Sequence, residues 1–118
     1  MRRVLVVEDY QDTANMLSLV LEQQGYQTRL APDGPSALMV AKFWTPHVVL
    51  LDLGLPGLDG YEVAHRLRNE IGLHDARIIA LSGYKPDELR QNSCGIDCHQ
   101  MKPVDIDKLL GLIGAIQA

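Results

Sequence analysis

Three short aliphatic runs constrain this chain more than any other feature: Val4-Leu5-Val6-Val7, Val48-Val49-Leu50-Leu51 and Ile78-Ile79-Ala80-Leu81. None of them alternates apolar with polar residues, as a strand with one wet face does. Short runs that are apolar at every position predict strands buried on both faces, the condition of a parallel sheet covered by helices. Two more polar segments, Gln27-Thr28-Arg29-Leu30-Ala31 and Ile96-Asp97-Cys98-His99-Gln100, are predicted to be strands at the edges of that sheet.

Helix-length segments separate the runs. Ala14 to Gln24 places Met16, Leu17, Val20 and Leu21 on one stripe and stops at Gly25. Asp33-Gly34-Pro35 predicts a helix start, with Asp33 as the N-cap, Pro35 in the first turn, and Ala37, Leu38 and Ala41 following at helical spacing. Gly60 to Ile71 carries Val63, Leu67 and Ile71 four residues apart, and Gly72 stops it. Pro86 to Cys94 predicts a short polar helix. Asp105 caps a last one that reaches Gln117 and presents Leu109, Leu112, Ile113 and Ile116. Strand and helix thus alternate five times, which predicts right-handed crossovers and an α/β fold with a doubly wound parallel sheet of five strands between five helices.

At 118 residues the chain is sized for one domain, 1–118, and its 47% hydrophobic content supplies a core without disulfides. The two cysteines, Cys94 and Cys98, are too few for a disulfide framework and lack a second pair for zinc, so they read as free thiols in a reducing compartment. A net charge of -4 argues against direct contact with nucleic acid or a membrane surface. The first apolar run ends at Glu8, too short for a signal peptide or a membrane span, so a cytoplasmic location is expected. His47, His65 and His74 have no partners at ligand spacing and read as structural or solvated, and Trp44 is expected to pack at the end of the second helix.

In a doubly wound sheet, ligands sit outside the carboxyl ends of the strands. Glu8 and Asp9 follow the first run, Asp52 the third, Ser82 and Gly83 the fourth, and Lys102 and Pro103 the fifth. Three carboxylates brought together repel, and at neutral pH either take up a proton or bind a cation. Hard oxygen donors suit Mg²⁺, which keeps several waters and leaves positions for phosphoryl oxygens. The Lys102 ammonium adds positive charge, and the Ser82 hydroxyl and Gly83 amide add hydrogen-bond donors. A carboxylate in that setting is a nucleophile towards phosphorus.

With these residues in hand the chain resembles the receiver domain of two-component response regulators. The resemblance rests on Glu8-Asp9, on Asp52-Leu53-Gly54-Leu55-Pro56-Gly57-Leu58-Asp59-Gly60, on Ala80-Leu81-Ser82-Gly83 and on Lys102-Pro103, and it covers essentially the whole sequence. It implies a flavodoxin-like strand order of 2-1-3-4-5. It also implies that Asp52 accepts a phosphoryl group from a histidine kinase or histidine phosphotransfer protein. By the same resemblance Mg²⁺ or Mn²⁺ is held by Asp9, Asp52 and the Gly54 backbone carbonyl, with Glu8 assisting through water. Ser82 is implied as the hydroxyl that moves towards the phosphoryl group, Lys102 as its counter-ion, and the Lys102-Pro103 bond as cis. Phosphorylation and hydrolysis are then self-catalysed, and the signal leaves through the fourth helix, fifth strand and fifth helix, a face that implies a docked partner or a homodimer.

The pattern departs from the family at His99, where a Tyr or Phe is usual. Histidine packs, hydrogen-bonds and titrates near neutrality, so Ser82 and His99 are expected as the switch pair with energetics of their own. The other reading makes His99 a locally bonded side chain on an edge strand. His99, its Gly95-Ile96-Asp97 lead-in and the Lys102-Pro103-Val104-Asp105 that follows resemble receivers at the C-terminus of hybrid sensor kinases. Met1 is equally compatible with a stand-alone regulator. Gly54 and Tyr84 occupy positions that in the family tune phosphoryl lifetime, though Tyr84 also reads as a cover for its loop. Asp87, Glu88 and Arg90 read as a solvated helix face. Two alternatives are set against this function. A phosphohydrolase working through an aspartyl phosphate would carry a second aspartate where Gly54 stands. A non-phosphorylated docking module, a pseudo-receiver, would be expected to have lost Asp52, Lys102 or one of the other acids.

Overall fold

The computed structural model describes residues 2–85 and 87–117, with side chains as far as residue 114. The expectations placed on Met1, on Pro86 as the start of the fourth helix and on the Ile116 side chain lie outside the described residues. In chain order the elements are β1 (Arg3–Val7), α1 (Gln11–Gln23), β2 (Gln27–Ala31), α2 (Gly34–Trp44), β3 (Val48–Asp52), α3 (Gly60–Asn69), β4 (Arg77–Ser82), α4 (Glu88–Cys94), β5 (Cys98–Met101) and α5 (Ile106–Gln117). The five strands form one sheet in the order β2-β1-β3-β4-β5, every pair parallel, so the two polar strands are its edges as the sequence predicts.

Successive residues of a strand point to opposite faces, so each aliphatic run feeds two cores. Leu5, Val7, Val49, Leu51, Ile78 and Ala80 pack with Ala37 and Ala41 of α2 and Val63 and Leu67 of α3. Val4, Val6, Val48, Leu50, Ile79 and Leu81 pack with Leu17 and Leu21 of α1 and Leu109 and Ile113 of α5. Burial of each such Leu, Ile or Val contributes about 1.5–3 kcal/mol. These two layers hold the sheet rigid, and its carboxyl edge inherits that rigidity.

The predicted caps are present. Asp33 Oδ1 accepts the Ser36 N–H at 2.8 Å and Asp105 Oδ1 the Lys108 N–H at 3.1 Å. Three boundaries differ from the sequence expectation. α1 begins at Gln11, ahead of Ala14, and its buried stripe is Ala14, Leu17 and Leu21, while Met16 is 41% exposed. α3 ends at Asn69, and Ile71 lies beyond it. β5 starts at Cys98 because Gly95 and Ile96 are used to end α4: Gly95 is left-handed, its N–H reaches Asn92 O, and the Ile96 N–H reaches Gln91 O.

Trp44 ends α2 as expected, with the Arg3 and Arg29 guanidinium groups 5.9 and 5.4 Å from its ring centre. His47 is structural: its Nδ1 accepts the Arg3 N–H at 3.0 Å. His65 and His74 are exposed. Among the described residues, no helix is long and apolar enough to cross a membrane.

Candidate functional site

The parallel sheet delivers the chemistry-bearing residues to one edge. Asp52 and Ser82 are the last residues of β3 and β4, Glu8 and Asp9 follow β1, and Lys102 follows β5. The backbone ladder continues past the strands and fixes these positions. Glu8 N–H donates to Ala31 O at 3.0 Å, Leu53 N–H to Leu81 O at 2.9 Å, and Lys102 N–H to Ser82 O at 2.8 Å. The Lys102-Pro103 bond is cis, as the resemblance implies.

Glu8, Asp9 and Asp52 each bring a carboxylate oxygen into a group whose atoms all lie within 4.8 Å of one another. Glu8 and Asp52 are buried and Asp9 is exposed, so the cluster opens to solvent on the Asp9 side. Lys102 Nζ bridges the two buried acids, 3.1 Å from Glu8 Oε1 and 3.0 Å from Asp52 Oδ2. The Gly54 N–H donates to Asp52 Oδ1 at 2.8 Å. The contact Gly54 makes here is therefore through its amide.

One lysine does not neutralise three acids. Burial, then the hydrogen bond to Asp52 and the Asp52 charge, push Glu8 up to about 7 against the pull of Lys102. Burial also raises Asp52, but the hydrogen bond from Glu8, the Gly54 N–H and Lys102 outweigh it and hold this carboxyl below its usual range. The two carboxyls are thus pushed in opposite directions, Glu8 up and Asp52 down. Burial lowers Lys102, and its two carboxylate partners more than reverse that, so it remains an ammonium.

The donor set fits a hard divalent cation. The oxygens are carboxylates crowded within 4.8 Å of one another, and Glu8 Oε2 is buried with no donor group placed against it among the described residues. An orphaned buried oxygen is costly unless something polar completes it.

Ser82 is buried. Its hydroxyl donates to Tyr84 O at 2.8 Å and accepts the Tyr84 N–H at 2.9 Å. His99 Nε2 lies 3.4 Å from the same Ser82 Oγ. With the Ser82 proton directed to Tyr84 O, the imidazole is the donor, which requires the Nε2–H tautomer. Burial holds His99 below its ordinary pKa. His99 is half-buried and lies beside Ser82, an arrangement that suits both a switch pair with Ser82 and a locally bonded side chain on the edge strand. Tyr84 engages through its backbone, and its side chain is 80% exposed, so the ring does not cover the loop.

Arg90 and Asp59 escape sequence reasoning. Arg90 is no plain solvated residue: it forms an ion pair with Asp59 and sits 4.2 Å from the Tyr61 ring centre. Thirty-one positions separate the pair in sequence, and no local pattern signals it.

Comparison with known proteins agrees with the geometry. The family model described as the response regulator receiver domain matches residues 4–114. The DNA-binding response regulator MtrA of Mycobacterium tuberculosis is 35% identical over 114 residues, covering 97% of this chain and 50% of that protein. The sporulation initiation phosphotransferase F of Bacillus subtilis is 33% identical over 109 residues, covering 91% of this chain and 86% of that one. The solved structure of the chemotaxis protein CheY4 of Vibrio cholerae superposes with a TM-score of 0.92 at 25% identity, covering 98% of both chains. The chain spans about half the length of several curated relatives it matches, MtrA among them. With the flavodoxin-like order β2-β1-β3-β4-β5 and this match over nearly its whole length, the chain belongs to the response regulator receiver domains of two-component signalling.

Proposed function

We propose that Asp52 is the phosphoacceptor of a phosphorelay and takes its phosphoryl group from the phosphohistidine of a histidine kinase or phosphotransfer protein. The observation that carries this is the position of Asp52: a buried carboxylate at the end of the central strand, with Lys102 Nζ 3.0 Å from it and two further acids beside it. An Asp52 oxygen attacks phosphorus, the new O–P bond forms, and the P–N bond to the donor imidazole breaks. Lys102, already an ammonium, exchanges part of its pairing with Asp52 for a phosphoryl oxygen. The Ser82 hydroxyl and Gly83 N–H supply donors to the charge that develops there. Asp9, Asp52 and the Gly54 carbonyl, with Glu8 assisting through water, would hold a divalent cation, Mg²⁺ or Mn²⁺, and such an ion would supply neutralising charge to the phosphoryl group.

The same residues serve hydrolysis, in which water replaces the Asp52 oxygen and inorganic phosphate leaves. Gly54 carries no side chain to exclude that water and no carboxyl to activate it. Phosphorylation and dephosphorylation are in this sense self-catalysed, and the chain is a signalling module without an external substrate to turn over. When Ser82 turns towards the phosphoryl group, it leaves Tyr84 O and its contact with His99 changes, which carries the event to β5 and the α4–β5–α5 face. We place the domain in the cytoplasm, in keeping with Cys94 and Cys98, which are free and packed against opposite faces of the sheet. The His99 segment favours attachment to a sensor kinase, which the flanking sequence of the parent gene tests.

The experiment is incubation with Mg²⁺ and acetyl phosphate or phosphoramidate, followed by intact mass. The expected result is one phosphoryl adduct that requires Mg²⁺ and is absent from Asp52→Ala. An adduct of equal yield in Asp52→Ala would refute the assignment, as would the absence of any adduct with every donor.

A further inference from the structure

α4 is held in an unusual way. Its seven residues, Glu88–Cys94, include none that is buried, and Leu89 is 84% exposed. The other described helices are fastened to the sheet by buried aliphatic side chains, so α4 depends on what grips its two ends.

The amino end is gripped by polar contacts to one short stretch. The Asp87 N–H donates to Tyr61 Oη at 3.2 Å. The Arg90 guanidinium pairs with Asp59 Oδ2 and lies 4.2 Å from the Tyr61 ring centre. Asp59 divides its carboxylate between two tasks: Oδ1 caps α3 by accepting the Tyr61 N–H at 2.9 Å, and Oδ2 receives Arg90. Asp59 and Tyr61 flank the first residue of α3, at the end of the loop that begins immediately after Asp52. Both Arg90 and Asp59 are about half exposed, so this grip is open to water and salt.

The carboxyl end is gripped differently. Arg68, only 14% exposed, donates two hydrogen bonds to Gly95 O at 3.0 and 2.8 Å. It also bonds Leu73 O, Ala76 O and Asp97 Oδ2. A Cβ on Gly95 would lie 2.8 Å from the Arg68 side chain, and the left-handed backbone at φ +81° favours glycine in any case. Ile96, the next residue, is buried in the core.

We infer that Asp59, Tyr61 and Arg90 form a releasable latch on the amino end of α4, and that α4 swings about a pivot at Arg68 and Gly95 when the latch opens. The asymmetry follows from the two environments. A half-exposed ion pair with a ring contact biases an equilibrium only about three- to tenfold, whereas a guanidinium shielded from water and shared among carbonyls is far harder to disengage. The latch is anchored on the loop that leaves Asp52, so a displacement of that loop acts on it directly. Its use in signalling rests on the phosphoacceptor reading, but its existence does not.

Amide hydrogen exchange on the unphosphorylated protein tests it. Asp59→Asn keeps an oxygen to cap α3, and Arg90→Gln keeps a helix former. Each single variant is expected to speed exchange across residues 88–94 about three- to tenfold, with β1, β3 and β4 unchanged. The double variant is expected to go no further than the singles, because one interaction is removed twice. Arg68→Gln is expected instead to loosen residues 94–97 and lower the urea midpoint of the whole domain. Unchanged exchange of α4 in both singles, additive effects in the double, or acceleration spread evenly over the sheet would each overturn the latch. Because no phosphoryl group is present, a failed phosphorylation assay and a failed latch remain separate results.

Discussion

Lys102 Nζ lies 3.0 Å from Asp52 Oδ2, and the same ammonium is 3.1 Å from Glu8 Oε1. That one cation faces both buried acids, so removing it does more than delete a contact. In Lys102→Met the phosphoacceptor keeps its nucleophilic oxygen but loses the positive charge placed for the phosphoryl oxygens. The expected outcome is a fall of about 10²-fold in the rate of adduct formation with a small donor, in line with loss of one positioned electrostatic group. Mg²⁺ affinity by calorimetry should hold or increase, because the acid cluster is then more negative. A variant phosphorylated at the wild-type rate would remove Lys102 from the chemistry.

The acid cluster also predicts a stability effect of metal. A cation that binds only the folded state at one hundred times its Kd stabilises by about 2.7 kcal/mol. For a domain of this size that raises Tm by on the order of 10 °C. Thermal melts with and without Mg²⁺ should show this rise in the wild type and lose most of it in Asp9→Asn and Asp52→Asn. Equal gains from Mg²⁺ in all three proteins would place the ion elsewhere.

Much of this is legible in the sequence alone. The three aliphatic runs announce a sheet covered on both faces, and residues directly after the strands must share an edge in a parallel sheet, so Glu8, Asp9, Asp52, Ser82 and Lys102 could be grouped from order alone. Orientation was less legible. The placement of His99 beside Ser82 depends on how β5 pairs with β4 after the Gly95 terminator, and edge strands carry a weak periodic signal. The contact between Asp59 and Arg90 was invisible for another reason. It joins a loop to a surface helix across long sequence separation, and each residue alone is an ordinary cap or an ordinary surface charge.

His99 makes a distinct prediction because its partner is Ser82. His99→Phe keeps a ring but cannot donate to the Ser82 hydroxyl. Adduct formation at Asp52 should stay within about threefold of wild type, the change expected when no reacting atom is touched. What should change is the response of β5: amide shifts of Gln100 and Met101 on phosphorylation should differ between His99→Phe and wild type. Identical shifts in the two proteins would show that the contact reports nothing.

Gly60 separates helix propensity from local space. It opens α3, where alanine in place of glycine ordinarily gains up to about 1 kcal/mol. Here an added Cβ would lie 2.7 Å from Leu53 Cα and 3.1 Å from Asp52 O. Those neighbours are backbone and cannot swing away. Gly60→Ala should therefore lose about 1–3 kcal/mol, as overpacking does, and slow phosphorylation by displacing the loop that follows Asp52. Urea denaturation reads the first effect, and a stabilised variant would contradict it.

His47 ties stability to pH at the opposite end of the sheet. Its Nδ1 accepts the Arg3 N–H at 3.0 Å, which only a ring unprotonated at that nitrogen can do. Burial first, then the charges of Arg3 and Arg2, hold its pKa below the ordinary 6.5. The sign follows from linkage. The unfolded chain takes up the His47 proton at a higher pH than the folded one, so stability rises with pH across that interval. The contribution is complete above about pH 6.5 and is lost as pH falls towards the lower folded value. His99 shifts in the same direction and would blur a simple pH series. His47→Asn offers a side-chain oxygen as acceptor without a titrating group and leaves His99 in place, so the difference between the two proteins isolates His47. Urea midpoints at pH 7.5 and 5.5 should fall further for the wild type than for His47→Asn. If the variant loses as much or more on acidification, then His47 does not set this part of the pH dependence.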